Sequence, residues 1–273
     1  MTAPLRVTLL AIALVALTAA GERTPGATNT GASPTAATAA NPGAAYGLTY
    51  REGAFPIAGV AEVHTSDGFV YLDAADARKL LVEIWQNPPD SATGVLGALM
   101  PRDIAIEDPR HWAAFIGYTA EGHIEDDDAA PIDYNALLSE MQAELAATNP
   151  DRVAAGYDEI MLAGWAEAPH YDAATHKLYW AKRLRFGTPP QTMDSLNYAM
   201  RVLGREGRLE LNVVADIGNL AKVNADAPII LRTVEFTAGN RYEDFNADTD
   251  DVAAYGLAGL IAGVVGAKAA KGV

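Results

Sequence analysis

Oxygen-bearing side chains recur at alternate positions from Asp244 to Asp250: Asp244, Asn246, Asp248 and Asp250. This is how an EF-hand-like calcium loop begins. The sixth position is Thr249 where such a loop has Gly, and the twelfth is Tyr255 where it has Glu. The same residues also read as a solvated acidic linker, or as a cap in which Asp248 or Asp250 meets the positive end of the following helix. A second acidic run, Glu125-Asp126-Asp127-Asp128, follows Gly122-His123 and offers ligands for a hard cation or, more simply, a charged loop. His170 and His176 flank a turn, and two imidazoles on one face can ligate zinc. A four-residue loop at 172–175 pairs Tyr171 with His176 and sends His170 to the other face, whereas a five-residue loop at 171–175 brings the two histidines together. A third ligand would have to come from His111 or His123. Arg201, Arg205 and Arg208 surround one hairpin, where they can hold an anion or an acidic partner, or form surface salt bridges with the abundant acids. Trp85, Trp112, Trp165 and Trp180 lie in apolar patterns that fit core packing. The chain has no cysteine, which removes disulfides, thiolate nucleophiles and cysteine-ligated metal centres. It shows no Gly-x-Ser-x-Gly elbow, P-loop or Gly-x-Gly-x-x-Gly. No residue is assigned a catalytic, cofactor-binding or metal-ligating role, and no cofactor is expected.

Short strands and helices must position these groups. Phe69 to Leu72 reads as a strand, and Asp73 as the cap of a helix from Ala74 to about Trp85 that ends at Asn87-Pro88-Pro89. Val95 to Met100 and Trp112 to Tyr118 read as buried strands. Asp133 caps a second helix, Tyr134 to Ala147, with Leu137, Leu138, Met141 and Leu145 at helical spacing and Asn149-Pro150 as its stop. Ile160–Ala166 and Lys177–Phe186 form one hairpin. Leu196–Leu203 and Leu209–Val214 form another around Gly204-Arg205-Glu206-Gly207, whose glycines supply positive φ. A last helix is expected from Pro228 to Phe236, with Asp226 near its cap. The sum is an α+β domain, about residues 46–246, with a mostly antiparallel sheet covered by helices.

Half of the 273 residues are hydrophobic and a fifth are charged, a globular balance. A formal net charge of −15 repels phosphate backbones, so nucleic acid is not an expected partner. Residues 1–20 read as a secretory signal peptide: Arg6 is the positive start, Val7 to Leu17 the apolar stretch, and Thr18-Ala19-Ala20 the small-residue cleavage site. Residues 21–45 are low-complexity Ala, Thr, Gly, Pro and Ser, a flexible tether. Residues 247–273 combine an acidic linker with a small-residue helix. The apolar run Val252–Ala267 spans roughly 16 residues, short of the ~20 that cross a bilayer. Gly259 and Gly263 have GxxxG spacing, and Lys268 and Lys271 suit a cytoplasmic end. The run is therefore a candidate membrane anchor or a helix packed on the body.

Several segments resemble a bacterial family of uncharacterised, predicted membrane-anchored proteins, a domain-of-unknown-function class. They are Gly164-Trp165-Ala166-Glu167-Ala168-Pro169-His170-Tyr171-Asp172, His176-Lys177-Leu178-Tyr179-Trp180, Leu196-Asn197-Tyr198, Val202-Leu203-Gly204-Arg205-Glu206-Gly207, Arg241-Tyr242-Glu243-Asp244-Phe245-Asn246 and Ala253 to Gly263. The resemblance implies an exported domain with a C-terminal anchor and brings no catalytic residues. A looser analogy, at the level of fold alone, is to the Mog1/PsbP-like sandwich. The expectation is an exported, membrane-associated envelope protein, on the periplasmic face of a bacterial membrane, that binds or scaffolds an envelope protein partner without catalysis. The alternatives are an envelope hydrolase with a carboxylate or histidine metal site, and a small-ligand carrier.

Overall fold

A computed structural model describes residues 42–65, 68–127, 132–187 and 189–262. The signal-peptide reading, most of the tether, Asp128, Gly263, Lys268 and Lys271 lie outside the described residues. In chain order the elements are β1 (Ala54–Ile57), β2 (Ala61–His64), β3 (Phe69–Asp73), α1 (Ala74–Arg78), β4 (Gly97–Pro101), β5 (Trp112–Ala120), α2 (Tyr134–Ala154), β6 (Ile160–Asp172), β7 (Lys177–Phe186), β8 (Met193–Leu203), β9 (Gly207–Asp216), α3 (Leu220–Thr233), β10 (Val234–Phe236) and α4 (Leu257–Ala262). Seven strands form one sheet in the order β3-β4-β5-β9-β8-β7-β6, and β1-β2-β10 form a small second sheet. Every strand pair is antiparallel. The chain is thus an α+β domain with an antiparallel sheet covered by helices.

Side-chain alternation divides the large sheet into two faces. One face, with Leu99, Ile116, Tyr198, Met200, Leu211 and Val213, packs against Val223, Ala227 and Ile230 of α3 and against the small sheet. The opposite face carries three apolar patches, the last two of which share Leu137 and Trp165 at their edges. Residues of α1 and its continuation cover Val70, Leu72, Met100 and Phe115. Leu257, Leu260 and Ile261 of α4 cover Leu178, Trp180, Ala199 and Leu203. Met141 of α2 lies on Ile160, Leu162, Leu184 and Phe186. Burial on both faces explains why β8 reads as an apolar run: Ser195 to Leu203 are all buried.

Asp73 and Asp133 cap their helices as expected, accepting from the Asp76 amide and from the Asn135 and Ala136 amides. Other boundaries differ. The first helix passes into a π-helical stretch, Lys79–Ile84. Asn149-Pro150 does not stop α2, which continues to Ala154 with Pro150 inside it. A proline removes one N–H donor, and side chains hold this end instead. The Asn149 amide accepts from Ile160 N and donates to Ile160 O, each at 2.9 Å, and Arg152 Nε donates to Asp158 O. The helix expected at Pro228–Phe236 begins earlier, at Leu220, and Val234–Phe236 is a strand. Asp226 is therefore no cap. It lies buried in mid-helix, bonded to Lys222 one turn before it. In the β8–β9 turn only Gly207 has a positive φ, and a side chain there would meet the Thr119 carbonyl oxygen at 2.1 Å. Gly204 serves close packing, since a Cβ would strike the Phe236 ring at 2.5 Å.

Candidate functional site

The β6–β7 hairpin pairs Asp172 with Lys177, Tyr171 with Leu178 and His170 with Tyr179. The loop is therefore 173–176, and neither register considered for the histidines is adopted. Asp172 builds the turn by accepting from Ala174 N and Thr175 Oγ1. His170 is exposed against Tyr179, with ring centroids 5.0 Å apart. His176 occupies the loop with φ 51° and joins a different group.

That group is an aromatic and acidic cluster at the hairpin tip. Tyr171 Oη donates to Asp126 Oδ2 at 2.6 Å, and His176 Nδ1 lies 3.4 Å from the same oxygen and 3.2 Å from Tyr171 Oη. The Tyr242 ring stacks on His176 at 3.8 Å, and its hydroxyl donates to Ile124 O. His123 stacks on Phe245 at 3.9 Å and tilts against Tyr242 at 4.2 Å. Its main chain clasps the C-terminal segment: His123 N donates to Asp251 O, and Ala253 N to His123 O, both at 2.8 Å. Burial works to raise the Asp126 carboxyl, but the hydrogen bond from Tyr171 and the neighbouring His176 outweigh it and leave the group below its ordinary range. Burial, and then the Asp126 charge, push Tyr171 and Tyr242 well above the usual phenol range. Burial lowers His123.

Beside this cluster lies a layer of charge on the sheet. β9 presents Arg208, Glu210 and Asn212 at alternate positions, and β8 pairs Arg201 with Glu210. Arg201 and Arg208 are buried, which corrects the expectation of surface salt bridges for two of the three arginines. Arg208 bonds Glu210 at 2.8 Å, Glu121 and the Tyr255 hydroxyl. Tyr255 in turn bonds Glu121, and Thr119 donates to Glu210 at 2.9 Å. Burial would raise Glu210, but Arg201 and Arg208 together override it and hold the carboxyl below its ordinary value. The third arginine, Arg205, forms a bidentate pair with Asp250, both contacts at 2.7 Å.

These bonds account for the 244–250 motif. Asp244 accepts from Gly239 N and Arg241 N, Asn246 caps Asp248 N, and Asp250 takes Arg205, Asn246 N and Thr249 Oγ1. The oxygens point into turns and an arginine, not toward a common centre, and neither Asp248 nor Asp250 caps α4. Among the described residues, no three of His, Asp and Glu are grouped to hold a metal ion. His111 is remote from the cluster and lies edge-on to Trp85 at 5.8 Å. Trp85, Trp112 and Trp180 are buried and Trp165 partly so, its Nε1 donating to Tyr134 O. A groove of about 320 Å³ runs between α2 and β6, lined by Gln142, Ala146, Asn149, Ile160 and Met161.

Sequence reasoning missed Glu121, Glu210, Tyr255, Tyr171 and Tyr242. The alternation Arg208-x-Glu210-x-Asn212 inside an apolar strand was the available signal, because three polar residues on one face of a buried strand require partners.

The C-terminal run is partly docked. Val252 bridges to His123, and Tyr255, Leu257, Leu260 and Ile261 are buried. Among the described residues no helix is long and apolar enough to cross a membrane.

With this architecture in place, the comparisons give a class. A family model described as a protein of unknown function (DUF2167) matches residues 49–272. The chain belongs to this family. No curated protein matches it. Among solved structures, the solution structure of cyanobacterial PsbP (CyanoP) from Synechocystis sp. PCC 6803 is similar over 76% of this chain and 98% of that one, at 9% identity and a TM-score of 0.38.

Proposed function

We propose that this chain is an exported envelope protein that binds or scaffolds a protein partner and carries out no catalysis. One observation carries the reading: its candidate reactive groups are bonded to one another in ways that hold the C-terminal segment on the body. Asp126 is shared by Tyr171 and His176, Asp250 by Arg205, and Glu210 and Glu121 by Arg208. A general base needs a free carboxylate with a pKa near neutrality within reach of substrate, and Asp126 is instead bonded to Tyr171 and His176 with its carboxyl below its ordinary range. Export rests on the pattern of residues 1–20. Membrane association, if carried by the C-terminal segment, falls to residues beyond Ala262, because Leu257 to Ile261 are committed to the sheet.

The non-catalytic reading is tested by incubating the purified full chain with ester, phosphoester, peptide and glycoside substrates. The expected result is no turnover above background. Turnover that disappears in Asp126→Asn or His176→Ala, with the fold retained by circular dichroism, would establish the hydrolase alternative.

A further inference from the structure

Where the three apolar patches on the α1–α2–α4 face leave a gap, the strands carry polar side chains. Lys182 of β7 pairs with Asn197 of β8, Ala199 pairs with Asn212 of β9, and Arg201 pairs with Glu210. Alternation puts Lys182, Asn197, Arg201 and Asn212 on this one face. Asn197 is only 5% exposed and Arg201 9%, while Lys182 is partly exposed. Neither the Asn197 amide nor the Lys182 ammonium has a hydrogen-bond partner among the described residues. The buried Nε of Arg201 and Nε1 of Trp180 are likewise unpartnered, and the Arg201 guanidinium lies over the Trp180 ring at 5.1 Å. Arg201 spends its other donors on Asn212 Oδ1 at 3.0 Å and Met200 O at 2.8 Å.

Charge on this face does not balance. Glu210 is 3.8 Å from Arg201 and is already bonded to Arg208 and Thr119, while Glu121 serves Arg208 and Tyr255. Lys182 therefore has no acid partner among the described residues, in a chain whose acids exceed its bases by 15. Burial, with Arg201 adding its like charge, pushes the Lys182 ammonium down to about 8. Buried donors without acceptors, here Arg201 Nε and Trp180 Nε1, are costly. With an ammonium, an amide, a guanidinium N–H and an indole N–H, the missing complement is an acceptor with negative charge.

We infer that Lys182, Asn197 and Arg201 form a binding site for a small oxyanion, a carboxylate or phosphate group, entered past Lys182 between α2 and α4. The site depends on the sheet face alone, so its failure leaves the scaffold reading standing.

Isothermal titration calorimetry of the purified full chain at pH 7 tests it, with inorganic phosphate, acetate and citrate as probes at matched ionic strength in sodium chloride. Saturable binding of at least one probe is expected. Lys182→Met weakens it by about tenfold or more, Lys182→Arg retains most of it, and Asn197→Ala weakens it severalfold. Lys182→Met keeps or raises the melting temperature, because it removes a partly desolvated charge without a partner among the described residues. Whichever of phosphate and the carboxylates binds more tightly identifies the head group. Absence of saturable binding, or equal affinity in wild type and both Lys182→Met and Asn197→Ala, overturns the assignment. If Lys182→Met fails to fold, Asn197→Ala decides the question alone.

Discussion

At the scale of single residues, the charged groups of this protein do structural work that can be measured. Arg208 is the hub for Glu210, Glu121 and Tyr255, with its side chain 8% exposed. Replacing it strands two carboxylates in a desolvated layer. Arg208→Met should therefore lower stability by about 3–5 kcal/mol, read by urea denaturation, and a loss under about 1 kcal/mol would show that water reaches the layer. His111 gives the opposite kind of prediction. Both its nitrogens are buried without partners among the described residues, and burial lowers it to about 4 against an ordinary 6.5, despite the nearby Asp108 and Glu107. The unfolded chain binds the extra proton between pH 6.5 and 4 and the folded one does not. Stability from this group is thus complete above about 6.5 and declines as pH falls toward 4. His111→Leu should flatten that part of the acid limb, and an unchanged slope between pH 6.5 and 4 would contradict the burial account.

At the scale of elements, side chains set limits that propensity alone does not. The continuation of α2 past Pro150 depends on the Asn149 amide, which replaces a strand neighbour at the start of β6. Asn149→Ala should cost about 1–3 kcal/mol and expose the amides of Ile160 and its neighbours to hydrogen exchange, leaving the β8–β9 amides protected. Equal protection in variant and wild type would remove this role. The same contrast explains what was legible. The caps Asp73 and Asp133 and the hairpins β6–β7 and β8–β9 follow from local chemistry and appear in the sequence. The extra turns of α2, and of α3 before Asp226, do not, because the first is secured by a contact to β6 and the second packs Val223 into the core. The hairpin histidines failed for a related reason: Asp172 accepts from Ala174 N and Thr175 Oγ1 and sets the loop at 173–176, and a one-residue slip changes which face a side chain joins.

At the scale of the whole molecule, the segment after Asp244 belongs to the folded body through Ile261. Asp250 is tied to Arg205, Val252 to His123, and Tyr255 to the charged layer. In the sequence this stretch reads as an acidic linker ahead of a candidate membrane anchor, with an incomplete calcium-loop pattern inside it. Its role depends on partners more than a hundred residues away, such as Glu121 and Ile124, which no local pattern displays. The acidic composition, the absence of cysteine and the apolar leader pattern were visible from composition and order alone, and the proposal of export rests on the leader pattern. The most direct test of that central claim is to fractionate the full-length, untagged protein from its own host and determine its intact mass, with alkaline carbonate extraction of the membranes. The account predicts an envelope fraction containing a chain that lacks residues 1–20. A cytoplasmic protein retaining Met1 to Ala20 would contradict it.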